Sequence, residues 1–145
     1  MDQELENKLY EKYPNLFANK YKTPMESCMS FGIECGLGWY ELLSSLCYRI
    51  TNHEENIASR LKYHKKNNTN PSASDSCYIP VTFNQVKEKY GGLRVYFSGG
   101  DDYVWGAVGM AEEYSYKVCE VCGNAGKPNK GGWISTLCDN CRNKS

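Results

Sequence analysis

Four cysteines near the C-terminus follow the pattern Cys119-x2-Cys122, fifteen residues, then Cys138-x2-Cys141. Two residues between cysteines let one tight turn aim both sulfurs at one point, and two such knuckles complete a tetrahedron of thiolates. Gly123, Gly126, Gly131 and Gly132 supply the backbone freedom that such knuckles use. Four thiolates around one ion leave no open position for a substrate. The chemistry expected is therefore structural: one Zn2+ ion as cofactor, folding the tail as a zinc ribbon. Two disulfides or an iron centre are the alternatives.

The other cysteines, Cys28, Cys35, Cys47 and Cys77, lack paired spacing. Buried, unreactive thiols are the plain expectation for them, and a second metal site with His53 or His64 is the sharper one. A second chemical candidate is Lys87-Glu88-Lys89-Tyr90-Gly91-Gly92-Leu93-Arg94-Val95-Tyr96-Phe97. If the strands alternate regularly, Lys87, Lys89, Arg94 and Tyr96 share one face opposite Leu93, Val95 and Phe97. Lysine and arginine there suit a phosphate or carboxylate ligand. A solvated hairpin face with cross-strand Lys–Glu pairs is the plainer account. Asp101-Asp102 suits either a divalent ion or, more simply, a helix cap. Trp39 and Trp105 are expected as core anchors, Trp133 as an exposed contact.

Catalytic patterns are missing. The chain has no phosphate-binding loop, nucleophile elbow or zinc-protease helix motif. The zinc-deaminase pattern needs a His-x-Glu and a proline before its cysteine pair, whereas Val118 and Leu137 precede the pairs here.

The elements that must position these residues follow from periodicity. Residues 2–13 read as a short polar helix with Leu5, Leu9 and Tyr10 on one side, ended by Pro14. Residues 15–36 read as loop with a short strand around Ser30–Glu34. Trp39, Leu42, Leu43, Leu46, Cys47, Ile50, Ile57 and Leu61 form one stripe along a helix of about 39–65. Thr51-Asn52-His53-Glu54 interrupts that stripe and marks a place for a break. Residues 67–76 contain no large apolar side chain and read as an exposed loop. Alternation predicts antiparallel strands over about 78–89 and 92–98, turning at Gly91-Gly92. Val104, Val108, Ala111 and Ser115 fit one face of a helix at about 103–117. The expected fold class is α+β: a long helix packed on a small antiparallel hairpin or sheet. The expected division is an α+β domain over 1–117 and a four-cysteine ribbon over 118–145.

Composition narrows the function class. Seventeen basic residues balance seventeen acidic ones, so no global field steers the chain to nucleic acid or to an anionic membrane. No apolar run is long enough to span a bilayer. The acidic N-terminus lacks a basic, apolar signal pattern, so a cytoplasmic location is expected.

Four segments together, Pro24–Leu43, Lys87–Phe97, Ala111–Gly123 and Gly132–Cys141, resemble a family of small, mostly uncharacterised proteins encoded by tailed bacteriophages and prophages. The resemblance spans roughly residues 24–142. It implies phage origin, a bacterial host cytoplasm and a ribbon, and carries no activity with it. The expected function is a non-enzymatic binding protein that inhibits or sequesters a host component, such as a defence protein or its nucleotide signal. One alternative is a nucleic-acid-binding ribbon using Lys117, Lys127, Lys130, Arg142 and Lys144, opposed by Glu112, Glu113, Glu120 and Asp139. Another is a metal-dependent enzyme using Asp101, Asp102 or Glu34.

Overall fold

The structure is a computed structural model and describes residues 1–144. Asp2 starts helix α1 (Gln3–Lys12) by accepting the Glu4 and Leu5 N–H groups, and the helix buries Leu9 and Tyr10. The stretch from 15 to 36 holds two tight 3-10 turns, Ala18–Tyr21 and Cys28–Phe31, then the short strand β1 (Ile33–Glu34).

A turn over Leu37–Trp39 leads into α2 (Tyr40–Asn67), which runs 28 residues through the polar interruption without a break. The interrupting side chains have tertiary partners. His53 Nε2 lies 2.8 Å from Asp101 Oδ2, and Glu54 accepts the Tyr78 hydroxyl at 2.6 Å and the Val81 N–H at 2.8 Å. Within the expected loop at 67–76 there is one helical turn, α3 (Ala73–Ser76). Its Asp75 is buried and accepts from the Arg60 Nε and an Arg60 terminal nitrogen, at 2.7 and 3.0 Å. That guanidinium holds the Asp75 carboxyl below the usual carboxylate range.

Strands β2 (Thr82–Lys89) and β3 (Gly92–Ser98) pair antiparallel, and β1 adds to the free edge of β2 in parallel. The sheet is thus mixed and three-stranded, in the order β1-β2-β3, rather than antiparallel throughout. A bulge at Asn84 separates the pairs Phe83–Phe97 and Gln85–Tyr96. The extra residue lets Phe83 and Val86, which plain alternation puts on opposite faces, both enter the core. The turn lies at Tyr90-Gly91, with φ of 54° and 82°, one residue before the expected Gly91-Gly92. Two positive φ angles give the primed turn whose twist matches a two-residue hairpin. Gly92 is needed for another reason: a Cβ there would sit 2.3 Å from the Tyr116 ring.

Helix α4 (Asp102–Ser115) buries Val104, Val108, Ala111 and Ser115, the expected face. Asp101 caps it by accepting the Val104 N–H at 3.2 Å. Partial burial works against the Asp101 charge, but the bonds from His53 and Val104 outweigh it and hold the carboxyl below its ordinary range. The stability this adds is present above the ordinary carboxylate value of about 4 and is lost as pH falls through the lower folded value. Asp101→Asn keeps a capping oxygen and loses the charge. Its melting temperature is expected below wild type at neutral pH, with the gap closing in acid; a constant gap would refute the electrostatic part.

Gly106 and Gly109 lie on the exposed side of α4, and an added Cβ at either meets nothing within 4 Å. Alanine at each position is expected to stabilise the protein by roughly 0.5–1 kcal/mol, read by chemical denaturation.

The buried faces of α2, α4 and the sheet meet in one core containing Trp39, Leu43, Ile50, Phe83, Leu93 and Val108. Trp39 is the anchor expected of it, but Trp105 is 63% exposed and only leans on Phe97, with ring centroids 4.7 Å apart. Cys35 and Cys47 are buried, and burial pushes the Cys35 thiol up to about 12. Cys28 and Cys77 are exposed, contrary to expectation, because one lies in the Cys28–Phe31 surface turn and the other caps the exposed α3.

The C-terminal ribbon comprises an isolated bridge between Val118 and Ala125, strands β4 (Lys127–Pro128) and β5 (Thr136–Leu137) and the short helix α5 (Asp139–Asn143). Among the described residues, no helix is long and apolar enough to cross a membrane.

Candidate metal centre and hairpin face

The sulfurs of Cys119, Cys122, Cys138 and Cys141 all lie within 4.8 Å of one another. The Cys122 and Cys138 sulfurs are 3.6 Å apart, far longer than the S–S bond of about 2.05 Å, and all eight cysteines are free thiols. A tetrahedral ion with metal–sulfur bonds of about 2.3 Å has sulfur–sulfur edges of about 3.8 Å. The cluster therefore has the dimensions to close around one metal ion.

Local backbone explains the convergence. In the first knuckle the Gly123 N–H donates to the Cys119 carbonyl at 2.9 Å, and the Cys119 N–H donates to the Asn124 carbonyl at 2.7 Å. Gly123 takes a φ of 83°, which closes the turn without a Cβ penalty. In the second knuckle Cys138 caps α5, its sulfur accepting the Cys141 N–H at 3.4 Å. Although burial works against it, N–H donors of the Cys138, Cys122 and Val121 backbone lower the Cys119 thiol to about 6. Cys141 moves the other way, up to about 12, chiefly through its hydrogen bond with Cys138. Crowded sulfurs of this kind cannot all carry charge without a cation among them.

The ribbon is sewn onto the body. Gly38 N–H donates to the Glu120 carbonyl at 2.7 Å, Gly36 N–H to the Glu120 carboxylate at 2.9 Å, and Trp39 Nε1 to the Val118 carbonyl at 2.8 Å. The Thr136 hydroxyl donates to the Gly91 carbonyl at 2.6 Å, joining β5 to the hairpin tip. Arg142 donates to the carbonyls of Lys127 at 2.6 Å and Ser135 at 3.3 Å, clamping the two arms of the ribbon. Glu120, Thr136, Gly36 and Gly38 were invisible as site residues in sequence terms. Their only signal is the Gly-x-Gly before Trp39, which marks a close backbone approach.

On the sheet face away from the core, Lys87 stands directly opposite Arg94, Gln85 opposite Tyr96, and Lys89 opposite Gly92. Lys87, Lys89, Arg94 and Tyr96 thus share a face, and Glu34 of β1 flanks Lys87. Arg94 is anchored, donating to the Tyr116 hydroxyl at 2.9 Å and to the Leu93 carbonyl at 2.8 Å. Hydrogen bonding to that hydroxyl helps raise the Arg94 pKa, so the side chain stays charged.

Among the described residues, the four cysteines are the only group of three or more His, Cys, Asp or Glu placed to hold a metal. His53 bonds Asp101 and stacks on Tyr103, while His64 bonds Thr69 at 2.7 Å, so neither joins the remaining cysteines. Glu34 lies on the edge strand β1, whereas Asp101 caps α4, and they form no common metal-ligand group. The ribbon lysines Lys117, Lys127, Lys130 and Lys144 are exposed, whereas Arg142 turns to carbonyls and Glu120 to the body. No family model, no curated protein and no solved structure matches the chain.

Proposed function

We propose that Cys119, Cys122, Cys138 and Cys141 hold one structural zinc ion, and that the protein is a non-catalytic binding protein of the phage-encoded kind. It acts in the bacterial cytoplasm on a host component, either a defence protein or the nucleotide signal that such a protein answers. The observation that carries this reading is the cluster of four cysteine sulfurs within 4.8 Å of one another, which would fill all four positions of a tetrahedral ion and leave none for a substrate. A surface held rigid by a metal staple suits recognition.

Native mass spectrometry against the denatured mass is expected to show one zinc per chain; no metal would sink the ribbon assignment. In a phage-protection assay, alanine at Lys87, Lys89 and Arg94 together is expected to abolish function while the chain keeps its zinc. Unchanged activity would remove the nucleotide-signal version.

A further inference from the structure

We infer that the corner where the β2–β3 turn meets the ribbon loop binds a nucleobase together with its phosphate, stacking the base on Trp133 and Tyr90. This rests on the reading of the chain as a non-catalytic binding protein and names the surface that does the binding.

Two aromatic rings stand out at this corner: Trp133 is 85% exposed and Tyr90 is 72% exposed. Both are carried on stiff backbone. The Asn129 side chain donates to the Gly131 and Trp133 carbonyls at 3.0 and 2.9 Å and accepts the Ser135 N–H at 2.7 Å, so it staples the loop that bears Trp133. Tyr90 occupies a φ of 54°, where a primed turn favours Asn, Asp or Gly. A bulky ring there strains the turn, so turn formation does not account for its presence. Glu88 steadies the turn by accepting the Gly91 N–H at 2.7 Å.

The two tips are locked to each other. The Thr136 hydroxyl bonds the Gly91 carbonyl, and Ile134 packs so closely on Gly91 that an added Cβ would meet it at 2.9 Å. Tyr90 is the neighbour of Gly91 and Trp133 the neighbour of Ile134, so the contact brings the two backbone positions to one corner.

Charge there is positive although the chain is neutral. Lys89 lies 5.6 Å from the Tyr90 ring, and Lys130 and Lys127 are exposed on the loop and its base. Of the nearby carboxylates, Glu88 is turned into the hairpin and Glu120 into the body, which leaves Asp139 exposed. Aromatic faces stack on any base and ammonium groups pair with phosphate, a combination that tolerates sequence. A free nucleotide and an unpaired nucleic-acid strand both offer this chemistry.

The test uses full-length protein carrying Trp105→Phe, so that Trp133 is the exposed fluorophore and Trp39 stays enclosed. Probes are a short oligothymidylate, thymidine monophosphate and a cyclic dinucleotide, at low salt. Quenching is expected in the parent, and affinities read by isothermal titration calorimetry are expected to weaken by about tenfold with Trp133→Ala or Tyr90→Ala. Lys89→Ala with Lys130→Ala is expected to flatten the salt dependence. Binding of the oligomer alone identifies an unpaired strand as the source; equal binding of a mononucleotide or cyclic dinucleotide identifies a free nucleotide. Zinc content and melting temperature of the Trp133→Ala and Tyr90→Ala proteins, unchanged from the parent, show that the fold survives.

No quenching by any probe, or full affinity in the Trp133→Ala protein, would overturn the inference. A zinc-bearing chain that leaves every probe unquenched but captures a host protein would sink this corner and keep the broader reading. Absence of zinc from the parent would sink the broader reading instead.

Discussion

Cys122→Ser is expected to release the zinc and to lower the melting temperature by at least about 10 °C, because 1 kcal/mol moves the midpoint of a chain this size by roughly 2–4 °C. Cys122 is the informative choice of the four. It is exposed, so its replacement removes no core packing, whereas Cys119 is fully buried. Any large loss therefore reports the metal. Structural zinc in small four-ligand modules contributes about 10–16 kcal/mol of apparent binding energy at neutral pH. Only part of that reaches global stability here, since the ribbon also gains from Trp39, Gly36, Gly38 and Gly91. Chelation of the parent protein is expected to mimic the substitution and zinc to reverse it. Retention of one zinc and a wild-type melt by the Cys122→Ser protein would remove the four-sulfur site.

The cysteine spacing and the inward face of α4 were legible in the sequence because each depends on local geometry alone. A two-residue gap makes a knuckle wherever it occurs, and Val104, Val108, Ala111 and Ser115 repeat at helical spacing. What stayed hidden depends on partners distant in the chain. The polar run at Thr51–Glu54 reads as a break until Asp101, Tyr78 and Val81 appear opposite it. The parallel strand Ile33–Glu34 is too short to signal its direction, which is set by its pairing with Val86 and Lys87. Gly91-Gly92 reads as a turn by composition, yet the turn lies at Tyr90-Gly91 because Gly92 is already paired with Lys89 across the hairpin. Trp105 reads as core by its type, but its position on α4 lies off the buried face. The corner of Tyr90 and Trp133 belongs to the same class. Their forty-three-residue separation conceals that their neighbours Gly91 and Ile134 touch, with Thr136 bonded to Gly91.

Gly38→Ala is expected to detach the first cysteine knuckle from the body. Gly38 needs no unusual φ, so the argument is one of space. A Cβ at this position would lie 2.2 Å from the Cys119 carbonyl oxygen and 2.5 Å from that of Glu120. Both obstacles are backbone, and the first belongs to a residue of the four-sulfur cluster, so neither swings aside as a side-chain tip does. To make room, the chain must give up the Gly38 N–H bond to Glu120, and with it the neighbouring Gly36 and Trp39 bonds lose their alignment. Burial of Trp39, whose indole donates to Val118, ties this damage to the core. Overpacking against fixed atoms costs about 1–3 kcal/mol, and leaving buried partners unmatched adds about 1–3 kcal/mol more. A loss of about 2–6 kcal/mol by denaturant unfolding is therefore expected. Gly106→Ala, with open space around it, shifts in the opposite direction. The zinc content separates two mechanisms. If Gly38→Ala is destabilised yet still carries one zinc, the ribbon folds around its metal and only its docking fails. Loss of zinc as well would mean that the body shapes the knuckle. A wild-type melt would show that the close approach of Gly38 to Cys119 does not hold the two parts together.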